Sequence, residues 1–337
     1  MKVAVIAILH NPISQPYAGG LERFTAELVQ GYRAKGLEVD LFASKGSDQN
    51  LCNTELFEAF EDNSSIAQAY SYHKIMNIIK DRKYDLIHNN SLHSLPLLYA
   101  STQKLPMITT LHTPPYVEQV SAIVTLKGDV YNRFVVPSKF LSRLWEPYLR
   151  QKPKVILNGV DLKEWNCAKK NSLKRAVWTG RILPTKGLDL AIKAAHLAEI
   201  PISIAGQICN DNYFSETISP LLSADDDYLG HLSQQEMSEL YESAAVSISA
   251  PRWNEPFGLT TIESIASGTP VAGLSKGAFP ELINSESGRL AESETLNGLK
   301  IAIKEARFLP YKNVRRQALR FCQKKMLEDY YSYGMNR

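Results

Sequence analysis

Val246-Ser247-Ile248-Ser249 runs into Ala250-Pro251-Arg252-Trp253-Asn254-Glu255-Pro256-Phe257-Gly258-Leu259-Thr260-Thr261-Ile262-Glu263, and Ser267-Gly268-Thr269-Pro270-Val271 follows shortly after. An apolar run stops at a Pro/Gly turn, a helical run takes over, and a second apolar run starts as soon as Gly268 has closed that helix. Strand, helix and strand in that order form a βαβ unit, which calls for a parallel pair with a right-handed crossover. Two glutamates frame the turn, Glu255 on the loop and Glu263 in the early helix. Paired carboxylates can serve as acid and base. Another use fits better here, because a carboxylate only accepts hydrogen bonds and can take two from a vicinal diol. One Glu then suits a sugar hydroxyl pair and the other a ribose pair. The N–H groups of Phe257, Gly258, Leu259 and Thr260, at the helix start, would face phosphate between them.

The same alternation extends in both directions. Toward the N-terminus, Val3–Leu9, Val39–Ala43, Asp85–His88, Met107–Leu111 and Phe134–Val136 read as strands. Leu21, Phe24, Leu28 and Tyr32 recur at helical spacing, with Gly36 closing that helix. A helix from Ser138 to about Leu149 carries Phe140, Leu141, Leu144 and Tyr148 as its apolar stripe. The pattern restarts near Lys154, with strands at Val155–Leu157, Ala176–Trp178, Ile202–Ala205, Tyr228–Leu229, Val246–Ser249 and Val271–Gly273. Helices are expected at Leu188–Ala198 and Ser233–Ser243, the second opened by a Ser233/Glu236 capping box. From Tyr311 to about Tyr333 the chain reads as one long helix with a solvated basic face of Lys312, Arg315, Arg316, Arg320, Lys324 and Lys325.

Two such series predict an α/β protein of two Rossmann-like, doubly wound parallel-sheet domains facing a central cleft, with ligands at the C-terminal strand ends. Length agrees: the chain has 337 residues, and a single core stops growing at roughly 250–300. The boundaries are expected at 1–153 and 154–315, with a C-terminal helix at about 316–337 packing back on the first domain. The apolar share of 44% and charged share of 22% exclude a disordered, collagen-like or coiled-coil chain. A net charge of +3 is too small to argue for nucleic acid as the partner. Cys52, Cys167, Cys209 and Cys322 are widely spaced without a CxxC pair, so neither a disulfide framework nor a zinc site is expected. The run Val3–Leu9 is short for a signal peptide and lacks an A-x-A site, so it reads as a buried strand of a cytoplasmic protein.

Two further constellations carry chemistry. Ala18-Gly19-Gly20-Leu21-Glu22-Arg23 puts bare backbone at a helix start, an anion site by geometry. It is no dinucleotide fingerprint, since Gly19 follows the first strand by ten residues and no G-x-G-x-x-G is present. Thr179-Gly180-Arg181, followed by Lys186-Gly187, sets two cations near a helix N-terminus, which the helix dipole disfavours unless an anion such as diphosphate sits between them.

Glu255-Pro256-Phe257-Gly258-Leu259 through Glu263, then Ala266-Ser267-Gly268-Thr269-Pro270-Val271, resembles the signature of retaining glycosyltransferase family 4, of GT-B fold. Gly19-Gly20-Leu21-Glu22-Arg23, Leu157-Asn158-Gly159-Val160-Asp161, Gly180-Arg181 with Lys186-Gly187, and Gly277-Ala278-Phe279-Pro280-Glu281 resemble further segments of that family in the same order. The resemblance implies that Glu255 contacts the donor sugar and Glu263 the ribose. Phe257, Gly258, Leu259 and Thr260 would bind sugar and phosphate. Arg181 and Lys186 would neutralise the leaving diphosphate, while Gly19 and Gly20 approach it from the other domain. His112 matches a family histidine near the reacting sugar. Two departures stand out: His88-Asn89-Asn90 replaces the more usual His-x-His, and Ala278-Phe279 replaces smaller residues, which would narrow the sugar pocket.

The activity so implied is retaining hexosyl transfer from a nucleotide-diphosphate sugar, UDP-hexose by family prior, with no cofactor and no metal. Asp225-Asp226-Asp227 imitates a metal-binding DxD but lies far in sequence from the donor motifs. Small-molecule, glycan and lipid-linked acceptors all stay open. The acceptor would meet Tyr17, Glu22, His112 and Tyr116. A basic, aromatic stretch from Ser138 to Lys154, with Lys139, Arg143, Trp145, Tyr148, Arg150 and Lys152, would allow weak contact with the inner membrane face. The alternatives are a GT-B epimerase and a sugar-nucleotide-binding module without turnover.

Overall fold

The computed structural model describes all residues except 53–55, 59–65, 127–128, 168–174 and 336–337. The chain divides into two compact units, Met1–Leu157 with Lys324–Arg337, and Asn158–Gln323. Each contains one six-stranded sheet in which every pairing is parallel. This is the doubly wound α/β architecture that the strand–helix alternation predicts.

In the first unit the strands are β1 (Lys2–Ile6), β2 (Glu38–Phe42), β3 (Leu86–Asn89), β4 (Met107–Thr110), β5 (Asn132–Val136) and β6 (Lys154–Val155), in the order β2-β1-β3-β4-β5-β6. β1 explains its own sequence. Val3 and Val5 pack into one core with the helix Gly20–Ala34, while Ala4 and Ile6 pack into a second core with Tyr72, Ile75 and Met76. Successive side chains of a strand point to opposite faces, so burial on both faces demands an unbroken apolar run.

The second unit holds β7 (Ala176–Thr179), β8 (Ile202–Ala205), β9 (Asp227–Tyr228), β10 (Val246–Ser249), β11 (Val271–Leu274) and β12 (Gly288–Ala291), in the order β12-β11-β10-β7-β8-β9. The order reverses between β7 and β10. Such a switch point leaves a crevice beyond the strand ends, and the loops after β7 and β10 are the two candidate donor segments. The capping box of Ser233 and Glu236 is present on the helix Gln234–Glu242.

Four expectations need correction. The strand near Val155 does not open the second domain: β6 pairs with β5, Val135 opposite Lys154, and completes the first sheet. The C-terminal segment is not one helix. It runs as Tyr311–Gln317, a 3-10 turn Ala318–Phe321 and a final helix Gln323–Met335. Between the last two, Phe321 and Gln323 exchange backbone hydrogen bonds with Val160, at 2.8 and 3.1 Å, so a strand-like bridge replaces helical bonding. Arg315 is not on a solvated face either, since it donates to the carbonyls of Trp165 and Leu162, both at 2.9 Å. Finally, the helix from Ser138 stops at Trp145, and Pro147 sits in a 3-10 turn.

The final helix inserts Met326 and Tyr330 into the first unit's core. Arg133 of β5 holds its end by donating to the carbonyls of Tyr333 and Gly334, at 2.6 and 3.2 Å. Behind it lies a fully buried polar chain. His88 Nδ1 meets Tyr32 Oη at 3.1 Å, His88 Nε2 meets Thr110 Oγ1 at 2.9 Å, and Thr110 Oγ1 meets Tyr330 Oη at 3.3 Å. Burial holds the His88 imidazole down at about 3, with His112 adding to the effect. A neutral ring offers one donor and one acceptor, which matches its two partners.

The unfolded chain protonates a histidine near pH 6.5, whereas the folded protein keeps His88 and His112 neutral down to about 3. Protons therefore favour the unfolded state across that window, and stability falls as pH drops below about 6.5, by up to about 1.4 kcal/mol per pH unit for each ring. Denaturant melts of wild type and His88→Gln between pH 7 and pH 4 test this. The variant should be less stable at pH 7 and show a shallower acid slope; an unchanged slope would mean that His88 is not the titrating group.

Candidate functional site

In the second unit the site begins at the end of β7. Gly180 has φ +148, and Arg181 after it is exposed. The 3-10 turn Pro184–Lys186 follows, and Gly187 then caps the helix Leu188–Leu197 with φ +67. A Cβ at Gly187 would lie 1.9 Å from the carbonyl oxygen of Ala250, just beyond β10. Only glycine fits both that conformation and that approach. Arg252 fastens the same junction: its guanidinium binds Asp189 through two 2.6 Å bonds, and its backbone N–H donates to the carbonyl of Thr185 at 2.9 Å. Burial works against the Asp189 charge, yet hydrogen bonds from Arg252 and Tyr213 outweigh it and hold the carboxyl below its usual range.

These contacts bring Lys186 onto Glu255. The ammonium lies 3.0 and 2.9 Å from the two carboxylate oxygens. Trp253 Nε1 donates to Glu255 Oε2 at 2.9 Å, and the Lys186 ammonium sits 5.1 Å from the Trp253 ring centroid. The backbone of Glu255 is held from the other side. Ala278 N–H donates to its carbonyl at 2.9 Å, and a Cβ at Gly277, where φ is +59, would lie 2.1 Å from that same oxygen. Gly258, with φ +107, caps the helix Leu259–Ala266, and its missing side chain leaves room for the Phe279 ring, 2.7 Å from where a Cβ would stand. Phe279 and Phe257 are buried, Leu259 and Thr260 are half-buried, and Glu263 is buried on the helix. Tyr241 ties the end of β7 to the start of the helix Leu259–Ala266, with its hydroxyl 2.6 Å from Thr179 Oγ1 and 3.2 Å from the Thr260 carbonyl.

In the first unit Gly19 caps the helix Gly20–Ala34, and Gly20 is exposed at its first position. Glu22 is buried and accepts from Asn11 Nδ2 at 2.9 Å, which pins the loop after β1. Tyr17 packs on the core of that unit, and burial raises its pKa. The Tyr116 hydroxyl donates to the carbonyl of Leu92. His112 follows β4; its Nε2 lies 3.0 Å from Asn90 Oδ1, and its ring packs edge-on against Phe24, with centroids 4.9 Å apart. Burial holds this imidazole down at about 3, so it is neutral at pH 7. Asn90 is itself buried, and its Nδ2 has no partner among the described residues. Trp145, the aromatic centre of the basic stretch, is buried and donates to the Thr113 carbonyl at 2.8 Å. Among the described residues no helix is long and apolar enough to cross a membrane.

The Asp225-Asp226-Asp227 run serves the fold. Asp226 accepts from Ile202 N–H at 2.9 Å, from Ser223 and from His196, and Asp227 pairs with Arg175 at 2.6 Å. The sequence reading missed Arg252, Trp253 and Asp189. Arg252 and Trp253 stood inside the quoted motif, and their sign was a large cation and an aromatic beside a carboxylate in a turn.

Comparison with known proteins adds to this geometry. The family model described as Glycosyltransferase Family 4 matches residues 18–164, and that described as Glycosyl transferases group 1 matches residues 163–317. The chain is similar to an uncharacterized glycosyltransferase of Methanocaldococcus jannaschii, 24% identical over 331 residues that cover 89% of this chain and 88% of that protein. Among solved structures it resembles sucrose-phosphate synthase from Thermosynechococcus elongatus, with a TM-score of 0.80, 18% identity and 98% of each chain covered. It also resembles Anabaena HepE in complex with UDP and glucose, with a TM-score of 0.78, 18% identity and 99% of each chain covered. The structural likeness establishes the GT-B fold.

Gly277→Ala is expected to lower stability by about 2 kcal/mol or more, because positive φ and a backbone collision act together. It should also remove most glycosyl transfer by displacing Glu255. Gly36→Ala is the control: φ is +79 but a Cβ would meet nothing within 4 Å, so the cost is about 1 kcal/mol and activity persists. Thermal melts and an activity assay of both variants decide; equal loss in both would mean that the Glu255 contact is not what Gly277 protects.

Proposed function

Because the chain belongs to the glycosyltransferases of family 4, we propose that it is a retaining hexosyltransferase that moves a hexose from UDP-hexose to an acceptor hydroxyl without a metal ion. One observation carries the reading: Lys186 and Glu255, 69 residues apart, meet where the loops leave β7 and β10. A cation for the diphosphate and a carboxylate for the sugar hydroxyls thus share one crevice of the donor unit. UDP is favoured because one structural relative was solved with UDP and glucose.

The residues divide the work by charge. Transfer builds positive charge at the anomeric carbon and negative charge on the departing diphosphate. Lys186, Arg181 and the helix start at Leu259 stabilise the second of these. The acceptor oxygen bonds to the anomeric carbon on the face that the diphosphate leaves, so configuration is retained. The bond between that carbon and the phosphate oxygen breaks, and this oxygen takes the acceptor proton. No protein nucleophile is assigned. The N–H groups of Phe257, Gly258, Leu259 and Thr260 hold sugar and phosphate, and Glu263 holds the ribose.

We assign the acceptor to the first unit, near Tyr17, His112 and Tyr116. Glu22 shapes the loop through Asn11 rather than reaching out. His112 works as a neutral hydrogen-bonding group, and the unpaired Nδ2 of Asn90 beside it suits a hydroxyl oxygen. Metal independence is supported by the two cations and by the structural employment of Asp226 and Asp227. We place the protein in the cytoplasm; burial of Trp145 weighs against a membrane-resting helix.

The test is release of nucleotide from a panel of nucleotide sugars, with and without EDTA. UDP should be released from a UDP-hexose, resist EDTA, and fall about 100-fold or more in Lys186→Ala and Glu255→Ala. EDTA-sensitive release would overturn metal independence. Release from a different nucleotide would correct the donor, and no release with any donor would favour a binding module.

A further inference from the structure

Lys186, Glu255 and Trp253 form a closed triangle. Lys186 reaches both oxygens of Glu255, at 3.0 and 2.9 Å, while Trp253 donates to one of them and covers the ammonium with its ring. The two charged side chains are only 23% and 14% exposed, so their mutual attraction is screened less than that of a fully solvated pair. Neighbouring charges cannot take either place. Arg252 is committed to Asp189, and Lys276 pairs with Glu294 at 2.9 Å. Arg181, in contrast, is exposed and has no ion-pair partner among the described residues.

We propose that this triangle is a self-closed donor site, which a nucleoside diphosphate opens by drawing Lys186 away from Glu255. The inference rests on the reading above, in which Lys186 binds diphosphate and Glu255 binds the sugar. Its content is an order of events. The diphosphate first meets Arg181, the uncommitted cation. Its further charge then competes for Lys186, since phosphate oxygens accept strong charge-assisted bonds from an ammonium. Only when Lys186 has changed partner are the Glu255 oxygens free for sugar hydroxyls. A free sugar brings no charge to attract Lys186 and finds Glu255 occupied. Sugar recognition is thus conditional on the diphosphate, and the selection needs no steric filter. Trp253 is a positioning residue in this scheme: its N–H fixes the Glu255 carboxylate and its ring guides Lys186.

The consequence runs against the usual effect of a binding-site mutation. Calorimetric titration of UDP, GDP and ADP into wild type, Lys186→Ala, Glu255→Gln and Trp253→Phe tests it. Lys186→Ala should weaken the diphosphate about tenfold or more. Glu255→Gln, which releases Lys186, should tighten it by about threefold to tenfold while transfer to acceptor falls. Trp253→Phe keeps the ring but drops the N–H and should tighten binding about twofold. Unchanged or weaker binding in a folded Glu255→Gln, with Lys186→Ala still impaired, overturns the self-closed site and leaves the donor reading standing. Should Glu255→Gln not fold, Trp253→Phe decides by the same criterion. If Lys186→Ala changes nothing, or wild type binds none of the three, the donor reading falls and the self-closed site with it.

Discussion

The close approach of the Gly187 backbone to the carbonyl of Ala250 governs the geometry of the candidate site in the second unit. It brings the loop after β7 against the loop after β10, two segments that are distant in sequence but adjacent in the sheet. No other residue fits there: positive φ and a 1.9 Å gap both exclude a side chain. Lys186 precedes this glycine and Glu255 lies on the facing loop, so this backbone contact brings them into reach of each other. Arg252 and Asp189 then fix the junction with charge. From residue to function the links are short: a glycine permits an approach, the approach pairs two charged groups, and the pair suits a charged, hydroxyl-rich donor.

The two units differ in electrostatic character. The second presents Lys186, Glu255 and Arg181 at its strand ends. The first holds His112, neutral at pH 7 because burial suppresses the imidazole's charge, beside Asn90, whose amide carries none. This contrast suits a reaction in which one substrate carries a diphosphate and the other reacts through a hydroxyl. A neutral His112 is a hydrogen-bonding group rather than a cation.

Much of the fold was legible because both faces of each central strand are covered. Val3 to Leu9 reads as a strand for this reason, and so do Val246–Ser249 and Val271–Gly273. The segments that escaped lie at edges or depend on partners far away. β12 contains Gly288 and Arg289 and is only partly buried, so its pattern carries little signal. β6 is two residues long, and its allegiance is decided by β5 rather than by its own sequence. The break after Phe321 comes from a bridge between Cys322 and Val160, which no local propensity encodes. At the site, the motif located Lys186 and Glu255 but not their mutual pairing, because spacing along a chain says nothing about which side chains satisfy one another. Trp253 and Arg252 were in plain view, yet their roles emerge only once Asp189 and Lys186 are placed beside them.

The final helix has a bearing on how the molecule is made. Residues 158–323 form one unit, and the chain then returns to supply Met326 and Tyr330 to the interior of the other. Topologically the second unit is an insertion within the first. A ribosome therefore releases the strands β1–β6 before the second unit but delivers the last wall of their core only after that unit has been made. The second unit, contiguous in sequence, can finish while its predecessor waits with the partners of Tyr330, Phe24 and His88 among them, still uncovered. Of the two units, the one begun earlier is the one completed later.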